Sequence, residues 1–235
     1  MLNLLLSLVR RHRTASVIAF VLGTAGFLFF VNIIEDVLTG DSGPVDKLLL
    51  RRAHALANSS DGDWLTPLAH GLSLLGNWQA VVPLGLLLLV LAWRGRLAWR
   101  AFLFYFVACG GSGALAIGFK YLINRPRPQI VPALEKAPLL SFPSGHSLYA
   151  LVAWGFVAYL IARRPHTPPW LRVVLVLAAL AIAGLVGASR VYLAAHYPSD
   201  VSGGWLIGVP WLLFVLWAFE GRSGAQGRVM AAVKR

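Results

Sequence analysis

The sequence predicts an all-α integral membrane protein, and this prediction rests on its composition and its long apolar segments. Of the 235 residues, 58% are hydrophobic and 13% are charged, and the mean hydropathy is +0.70. A soluble domain needs about twice that share of charged residues for its surface. Six segments without Asp, Glu, Lys or Arg approach the roughly 20 residues that a helix needs to cross a bilayer. We therefore expect a six-helix membrane bundle that forms a single domain over residues 1–235.

Each predicted span is an apolar segment that ends near charged or turn-forming residues. The first span follows Arg10, Arg11 and Arg13, as a signal peptide would. Its 19 residues exceed the apolar region of a signal peptide, so we expect a retained helix. The six spans cover residues 16–34, about 76–93, 101–119, about 147–162, 173–189 and 201–219.

The longest polar segment, residues 35–75, is the first loop, and its residues 44–58 have the pattern of an amphipathic helix. Val45, Leu48 and Leu49 lie on one stripe together with Ala53 or Leu56. The charged residues on the rest of this helix are Asp46, Lys47, Arg51 and Arg52. Two placements stay open, because such a helix either lies in the membrane interface or packs on the bundle.

The net charge of +12 is unevenly distributed along the chain. In a soluble protein it would suggest nucleic acid binding, which the long apolar segments exclude. The termini and even-numbered loops hold 13 of the 21 Lys and Arg residues and a single acid, Glu220, whereas the odd-numbered loops hold eight basic and eight acidic residues. By the positive-inside rule, the termini are cytoplasmic and the odd-numbered loops lie on the outer side.

Three polar clusters stand at the ends of the predicted spans, and all of them lie in the odd-numbered loops. The cluster between the fifth and sixth spans contains His196 and, four residues later, Asp200. Pro198 between them favours a turn or a helix start over an ideal helix. A carboxylate beside the imidazole fixes its tautomer, so that the other ring nitrogen can act as a base or a nucleophile.

A second cluster, residues 142–147, stands where the fourth span begins. Ser144 is suited to cap the helix there, and the backbone N–H groups around Gly145 and His146 would bind a phosphate. His146 lies at the edge of this site, where it can give or take a proton.

The remaining cluster follows the third span and supplies fixed positive charge. Arg127 and, from the fifth span, Arg190 can bind phosphate oxygens with two donors each, and Lys120 adds a point charge. For Arg125, a catalytic setting and an ordinary anchor at the membrane interface stay equally open. With two histidines, three cations, a helix start and no Cys/His cluster of metal-ligand spacing, the pattern is typical of phosphoryl transfer.

The three clusters together resemble the signature of the type 2 phosphatidic acid phosphatase family. The matching residues are Lys120-x6-Arg127-Pro128, then Pro143-Ser144-Gly145-His146, then Ser189-Arg190-x5-His196-x3-Asp200. The resemblance implies the core that this family shares with soluble vanadium haloperoxidases, and the six spans favour the membrane branch.

The resemblance also implies a role for each motif residue. His196 would form a phosphohistidine, Asp200 would orient it, and His146 would protonate the leaving oxygen. The residues implied for phosphate binding are Lys120, Arg127, Ser144, Gly145 and Arg190. Family members use no metal or other cofactor.

The expected activity is that of a lipid phosphatase in a bacterial inner membrane, with the site on the periplasmic side. The substrates implied are undecaprenyl diphosphate, phosphatidylglycerol phosphate or phosphatidic acid, whose tails stay in the bilayer beside Tyr149. Two alternatives are a lipid phosphotransferase on the same scaffold and a non-enzymatic transporter of lipid phosphates. The sequence does not predict an oligomeric state.

Overall fold

The computed structural model describes residues 24, 26, 28, 31–35, 37, 43–135 and 140–233. The chain divides into two compact units, Met1–Asp41 and Ser42–Arg235. In the first unit every described residue is helical. The first predicted span, residues 16–34, lies largely outside the described residues.

The described part of the second unit consists of helices and contains no β-strand, which confirms the predicted all-α fold class. One isolated antiparallel bridge joins Pro126 to Leu140. The seven helices of this part are α1 Pro44–Ala57, α2 Gly62–Leu74, α3 Trp78–Trp93, α4 Trp99–Ile123, α5 Gly145–Ala162, α6 Pro169–Tyr192 and α7 Pro198–Val233.

Five segments of the described chain are long and apolar enough to cross a membrane, and they overlap the second to sixth predicted spans. They are Gly62–Trp93, which combines α2 and α3, then α4, α5, α6, and α7 as far as Gly221. Helices α4, α6 and α7 run beyond both predicted ends, and the second span begins at Gly62 rather than near residue 76. Because each predicted span ends at a charged residue, the prediction omits the last turns of α4 and α6, which carry Lys120 and Arg190.

Helix α1 confirms the predicted amphipathic helix, but the face that packs on the protein is not the apolar stripe. Asp46 and Leu50 are its buried residues, and α1 packs against α6 and α7. The stripe residues Val45 and Leu48 are 62% and 48% exposed. Asp46 faces the protein because it has a partner there, and the apolar stripe faces the surroundings of the bundle.

Local signals explain where several helices begin and end. The side chain of Asn77 accepts a hydrogen bond from the backbone N–H of Trp78 at 2.8 Å, which caps α3. Proline stands at the first position of α1, α6 and α7, where its missing N–H group is not needed. Helix α4 ends at Ile123 and is capped by Asn124, whose positive φ of 52° turns the chain away from the helix axis.

Helix α5 is the centre of the bundle, because it packs against α4, α6 and α7 and half of its residues are buried. Leu148, Val152 and Phe156 are fully buried on it. Helix α7 passes close to the start of α5, since a Cβ atom at Gly204 would lie 2.7 Å from the carbonyl oxygen of Ser144. This close approach brings the beginnings of α5 and α7 to the same end of the bundle.

The opposite end of the bundle carries basic residues packed on aromatic rings. Arg163 lies 3.4 Å from the carboxylate of Glu220, and its guanidinium stands 4.6 Å from the ring centre of Phe219. Arg100 donates a hydrogen bond to the carbonyl of Phe219. The two ends of the helices therefore differ in chemistry, with the predicted catalytic residues at one end and these basic anchors at the other.

Candidate active site

Backbone hydrogen bonds bring the three predicted clusters together at one end of the bundle. The N–H of Ser144 donates to the carbonyl of Asp200 at 3.0 Å, and the N–H of Ser141 donates to the carbonyl of Arg125 at 2.9 Å. The first of these bonds joins the start of α5 to the start of α7, and the second joins the loop after α4 to the segment before α5.

The segment between α6 and α7 folds back on the end of α6. The N–H groups of Ala195 and His196 both donate to the carbonyl of Arg190, at 3.1 and 3.2 Å. Ala194 has a positive φ of 52°, which reverses the chain direction there. This turn brings the imidazole of His196 back beside the guanidinium of Arg190, which lies in the last turn of α6.

His196 and Asp200 form a buried pair at the start of α7, since their side chains are 2% and 0% exposed and Nδ1 lies 3.4 Å from Oδ2. The carboxylate is also held by the N–H of Tyr197, which donates to Oδ2 at 2.9 Å. Because α7 begins at Pro198, His196 precedes the helix rather than lying within it. The carboxylate is thus placed to accept the proton of Nδ1.

The other ring nitrogen of His196 faces a cation. Nη1 of Arg127 lies 3.2 Å from Nε2, and a guanidinium can only donate, so the tautomer assigned here carries its proton on Nδ1. Burial lowers the pKa of His196 to about 4; Asp200 raises it and Arg127 lowers it further. The imidazole is therefore neutral near pH 7 and has a lone pair on Nε2.

Two of the predicted cations also bind backbone carbonyls. Nζ of Lys120 donates to the carbonyl of Leu140 at 2.8 Å, and Arg127 donates to the carbonyl of Ala195. Burial and the nearby Arg190 lower the pKa of Arg127 to about 10, which leaves it charged near pH 7. Both cations are thus held in place by the loops that carry the histidines.

Arg190 is fully buried and binds two residues that the sequence did not point to. Its Nη1 and Nη2 donate to the two carboxylate oxygens of Glu135 at 2.8 and 2.9 Å, and Nη1 also donates to Ser73 at 2.6 Å. Burial favours a raised pKa for Glu135, but the hydrogen bonds and charge of Arg190 outweigh it and lower the pKa. His70 lies 3.7 Å from the same carboxylate. No motif or spacing marked these residues.

Arg125 is not an interfacial anchor, because it is 6% exposed and bridges two carboxylates. Its Nη1 donates to Asp200 at 2.6 Å and its Nη2 to Asp46 at 3.1 Å. Its guanidinium also lies 4.1 Å from the ring centre of Tyr197. One signal could have found it, since residues two apart in an extended segment share a face, and Arg127 was already expected to face the site.

The start of α5 lies where the sequence predicts it, with fully buried Ser144 at the N-cap. Its hydroxyl makes no bond to a helix N–H group and instead accepts a hydrogen bond from Ser147 at 3.0 Å. A Cβ atom at Gly145 would meet nothing within 4 Å. Open space therefore adjoins the first N–H groups of this helix, which are suited to bind an anion.

His146 stands in the first turn of α5 and is half-buried. It lies within electrostatic range of four other predicted site residues, namely Lys120, Arg127, Arg190 and His196. All eight predicted residues thus lie at one end of the bundle. Within the described residues, no group of three or more His, Cys, Asp or Glu side chains has the arrangement of a metal site.

An apolar groove of about 560 Å³ lies between α3 and α4. Asn77 and Trp78 line it near the site end, and Tyr149 from α5 contributes to its wall. The other lining residues are Val81, Val82, Gly85, Leu86, Leu89, Phe102, Tyr105, Phe106, Cys109 and Gly110. Its chemistry suits a hydrocarbon chain.

The chain is similar to proteins named as phosphatases, and to one of them over most of its length. Residues 101–223 match the model of the PAP2 superfamily. Phosphatidylglycerophosphatase B of Bacillus subtilis is 31% identical over 191 residues, which cover 81% of this chain and 90% of that protein. Undecaprenyl-diphosphatase of Sulfolobus acidocaldarius is 37% identical over 101 residues, or 41% of this chain and 44% of that protein.

A solved structure has the same fold. The transmembrane PAP2 type phosphatidylglycerolphosphate phosphatase from Bacillus subtilis superposes with a TM-score of 0.71 at 28% identity, covering 85% of this chain and 96% of that one. The region that matches the family model, residues 101–223, contains all three clusters described above. The chain therefore belongs to the PAP2 superfamily and is an all-helical membrane phosphatase of that family.

Proposed function

We propose that this protein hydrolyses lipid phosphates through a phosphohistidine on His196, without a metal ion. The observation that carries the proposal is the buried pair of His196 and Asp200, with a neutral imidazole whose Nε2 faces a cation. The open space beside Gly145 adjoins helix N–H groups that suit a phosphate.

In the first step, Nε2 of His196 attacks the terminal phosphorus atom while its bond to the leaving oxygen breaks; this oxygen belongs to the lipid alcohol in a phosphomonoester and is the bridging oxygen in a diphosphate. His146 supplies the proton that the departing oxygen needs. Lys120, Arg127 and Arg190 neutralise the charge on the phosphoryl oxygens, which is the largest contribution expected in a transfer of this kind. Asp200 stabilises the charge that develops on the imidazole.

In the second step, a water molecule attacks the phosphohistidine. His146, now without its proton, accepts one from this water, and the bond from nitrogen to phosphorus breaks. Inorganic phosphate leaves, and both histidines return to their starting forms. The cycle consumes one water molecule and changes no oxidation state.

The substrate we propose is phosphatidylglycerol phosphate or undecaprenyl diphosphate, with phosphatidic acid as a third member of the same class. The names of the relatives support the first two. The groove between α3 and α4 is apolar along its length, so a hydrocarbon tail can stay at the level of the bilayer while the phosphate reaches the basic residues. This arrangement supports access from within the membrane.

We propose a bacterial inner membrane as the location, with the active site on the periplasmic side. The uneven charge distribution supports this orientation. Arg94, Arg96, Arg163 and Arg164 follow the ends of α3 and α5 that lie away from the site, and basic loops are retained on the cytoplasmic side.

The test is phosphate release from a panel of lipid phosphates and diphosphates by purified protein in detergent with EDTA present. We expect release by the wild type and none above background by His196→Ala. The matched control is His166→Ala, which removes an exposed histidine that follows the end of α5 away from the site and should leave activity unchanged. Activity that survives in His196→Ala, or that depends on a divalent metal, would overturn the mechanism. Turnover that requires a second lipid as acceptor would indicate a phosphotransferase.

A further inference from the structure

Asp46 belongs to none of the motifs, yet it is 5% exposed and reaches the active site from helix α1. Its Oδ1 accepts the N–H of Ser199 at 2.9 Å, its Oδ2 accepts Nη2 of Arg125 at 3.1 Å, and the hydroxyl of Ser199 also donates to Oδ2. A buried carboxylate with this set of donors is held in one orientation.

Arg125 connects this carboxylate to the proposed catalytic pair of His196 and Asp200. Its Nη1 donates to Oδ1 of Asp200 at 2.6 Å and also to Ser199 at 2.8 Å. Since Oδ1 of Asp200 is used in this way, Oδ2 is left for the N–H of Tyr197 and for Nδ1 of His196. The guanidinium thus determines which carboxylate oxygen faces the imidazole.

Leu50 provides a second contact between α1 and the segment that carries His196. It lies one turn after Asp46 on the buried face of the helix and is fully buried in a cluster with Ala194 and Tyr197. These two residues flank the turn that carries His196. Helix α1 therefore contacts the segment that carries His196 through the hydrogen bonds from Ser199 to Asp46 and through apolar packing.

We propose that Asp46 and Arg125 are positioning residues of the phosphatase reaction, which makes the first-loop helix α1 part of the active site. The inference rests on the proposed function. Arg125 shares its charge between two carboxylates, so the three groups together carry one negative charge, and Asp200 keeps the charge that its partner imidazole needs. Neither residue is placed to touch the substrate.

The primary variant is Asp46→Asn, which removes the charge but keeps an oxygen that can accept the N–H of Ser199. We expect kcat to fall about tenfold, the effect of losing one charge-assisted hydrogen bond, with KM changed by less than about twofold. The matched control is Glu220→Gln, which neutralises an acid paired with Arg163 at the opposite end of the bundle and should leave both constants unchanged.

A pH profile separates positioning from simple loosening of the structure. Loss of the Asp46 charge makes the three-residue group neutral, so it disfavours the protonated form of His196 and moves the acid limb of kcat/KM to lower pH. The double variant Asp46→Asn, Arg125→Gln restores the original net charge and should return the limb toward its wild-type position, while kcat stays low. The charged or titratable groups that face His196 in every variant are Arg127, Arg190, His146 and Asp200.

The outcomes are distinct. An inactive wild type would overturn the proposed function itself. An active wild type with unchanged kcat in Asp46→Asn, or an acid limb that moves the same way in the single and double variants, would overturn the positioning role and leave the phosphatase proposal intact. If Asp46→Asn is not recovered as folded protein, Arg125→Lys takes its place. Lysine keeps the positive charge but has one nitrogen instead of the two-pronged guanidinium. A wild-type kcat in Arg125→Lys would also reject the positioning role.

Discussion

The most demanding test of the site is Asp200→Asn, because this change preserves shape and alters only donors and acceptors. Both carboxylate oxygens accept hydrogen bonds, Oδ1 from Arg125 at 2.6 Å and Oδ2 from the N–H of Tyr197 at 2.9 Å. An amide has one acceptor and one NH2 group. Whichever way it turns, one donor of the protein meets the NH2 group.

The two orientations of the new amide have different consequences. If the NH2 group faces Arg125, a buried donor loses its partner, which costs about 1 to 3 kcal/mol of stability. If it faces His196, it donates to Nδ1 and forces the proton onto Nε2, so the nucleophilic lone pair disappears. Loss of the correct tautomer lowers kcat by up to about 10⁴-fold in the comparable serine protease case. We expect a decrease of about 10²- to 10⁴-fold.

The assay is phosphate release at saturating substrate, with unfolding temperature measured on the same samples. KM should stay near that of the wild type, because Asp200 is fully buried and is not placed to touch the substrate. The decrease should not exceed that of His196→Ala, which removes the nucleophile itself. An Asp200→Asn enzyme that keeps more than about a tenth of the wild-type kcat would refute the orienting role.

Three further predictions concern the acid side of stability, the leaving group and the orientation. Arg190 lowers the pKa of Glu135 in the folded state from its usual 4.5, so this pair stabilises the fold above pH 4.5, and the stabilisation is lost as pH falls through the lower folded value. Glu135→Gln should therefore flatten the decline of the unfolding temperature on the acid side. An unchanged decline would contradict the pairing. His146→Gln should slow hydrolysis of lipid phosphates about 10²- to 10⁴-fold but affect p-nitrophenyl phosphate much less, since nitrophenolate leaves without a proton; equal losses on both substrates would argue against the acid role. In a background without the native cysteine, a membrane-impermeant maleimide on intact cells should label Ser59→Cys and not Arg96→Cys, and the reverse pattern would overturn the orientation.

The fold and the motif residues were predictable because each has a strong local signal. An uncharged segment of about 20 residues predicts a membrane span, and this signal alone predicts α4 to α6. The motif residues are polar groups at helix ends in an otherwise apolar chain, where such groups are rare. Both signals are read from neighbouring positions, so no knowledge of tertiary contacts is needed.

The residues that were missed depend on partners far away in the chain. Asp46 and Arg125 are 79 positions apart, and Glu135 and Arg190 are 55 apart. The sequence also left the placement of α1 open, for the same reason. Its pattern shows which stripe is apolar, but in a membrane protein that stripe can face lipid, and the buried face was decided by Asp46.

The missed residues also bear on why the site is built from ions. Buried ion pairs contribute little net stability, because desolvation offsets the attraction, and replacing them with apolar groups often leaves a protein as stable or more so. Asp46, Arg125 and Asp200 nevertheless form a buried chain with side chains at most 7% exposed, and this chain ends at the imidazole of His196. Since stability alone does not account for such a chain, its presence beside His196 points to the reaction. Asp200 needs its full negative charge in the interior, where Arg125 binds it. The charge of Arg125 must in turn be neutralised by a second carboxylate, and Asp46 on helix α1 supplies that carboxylate.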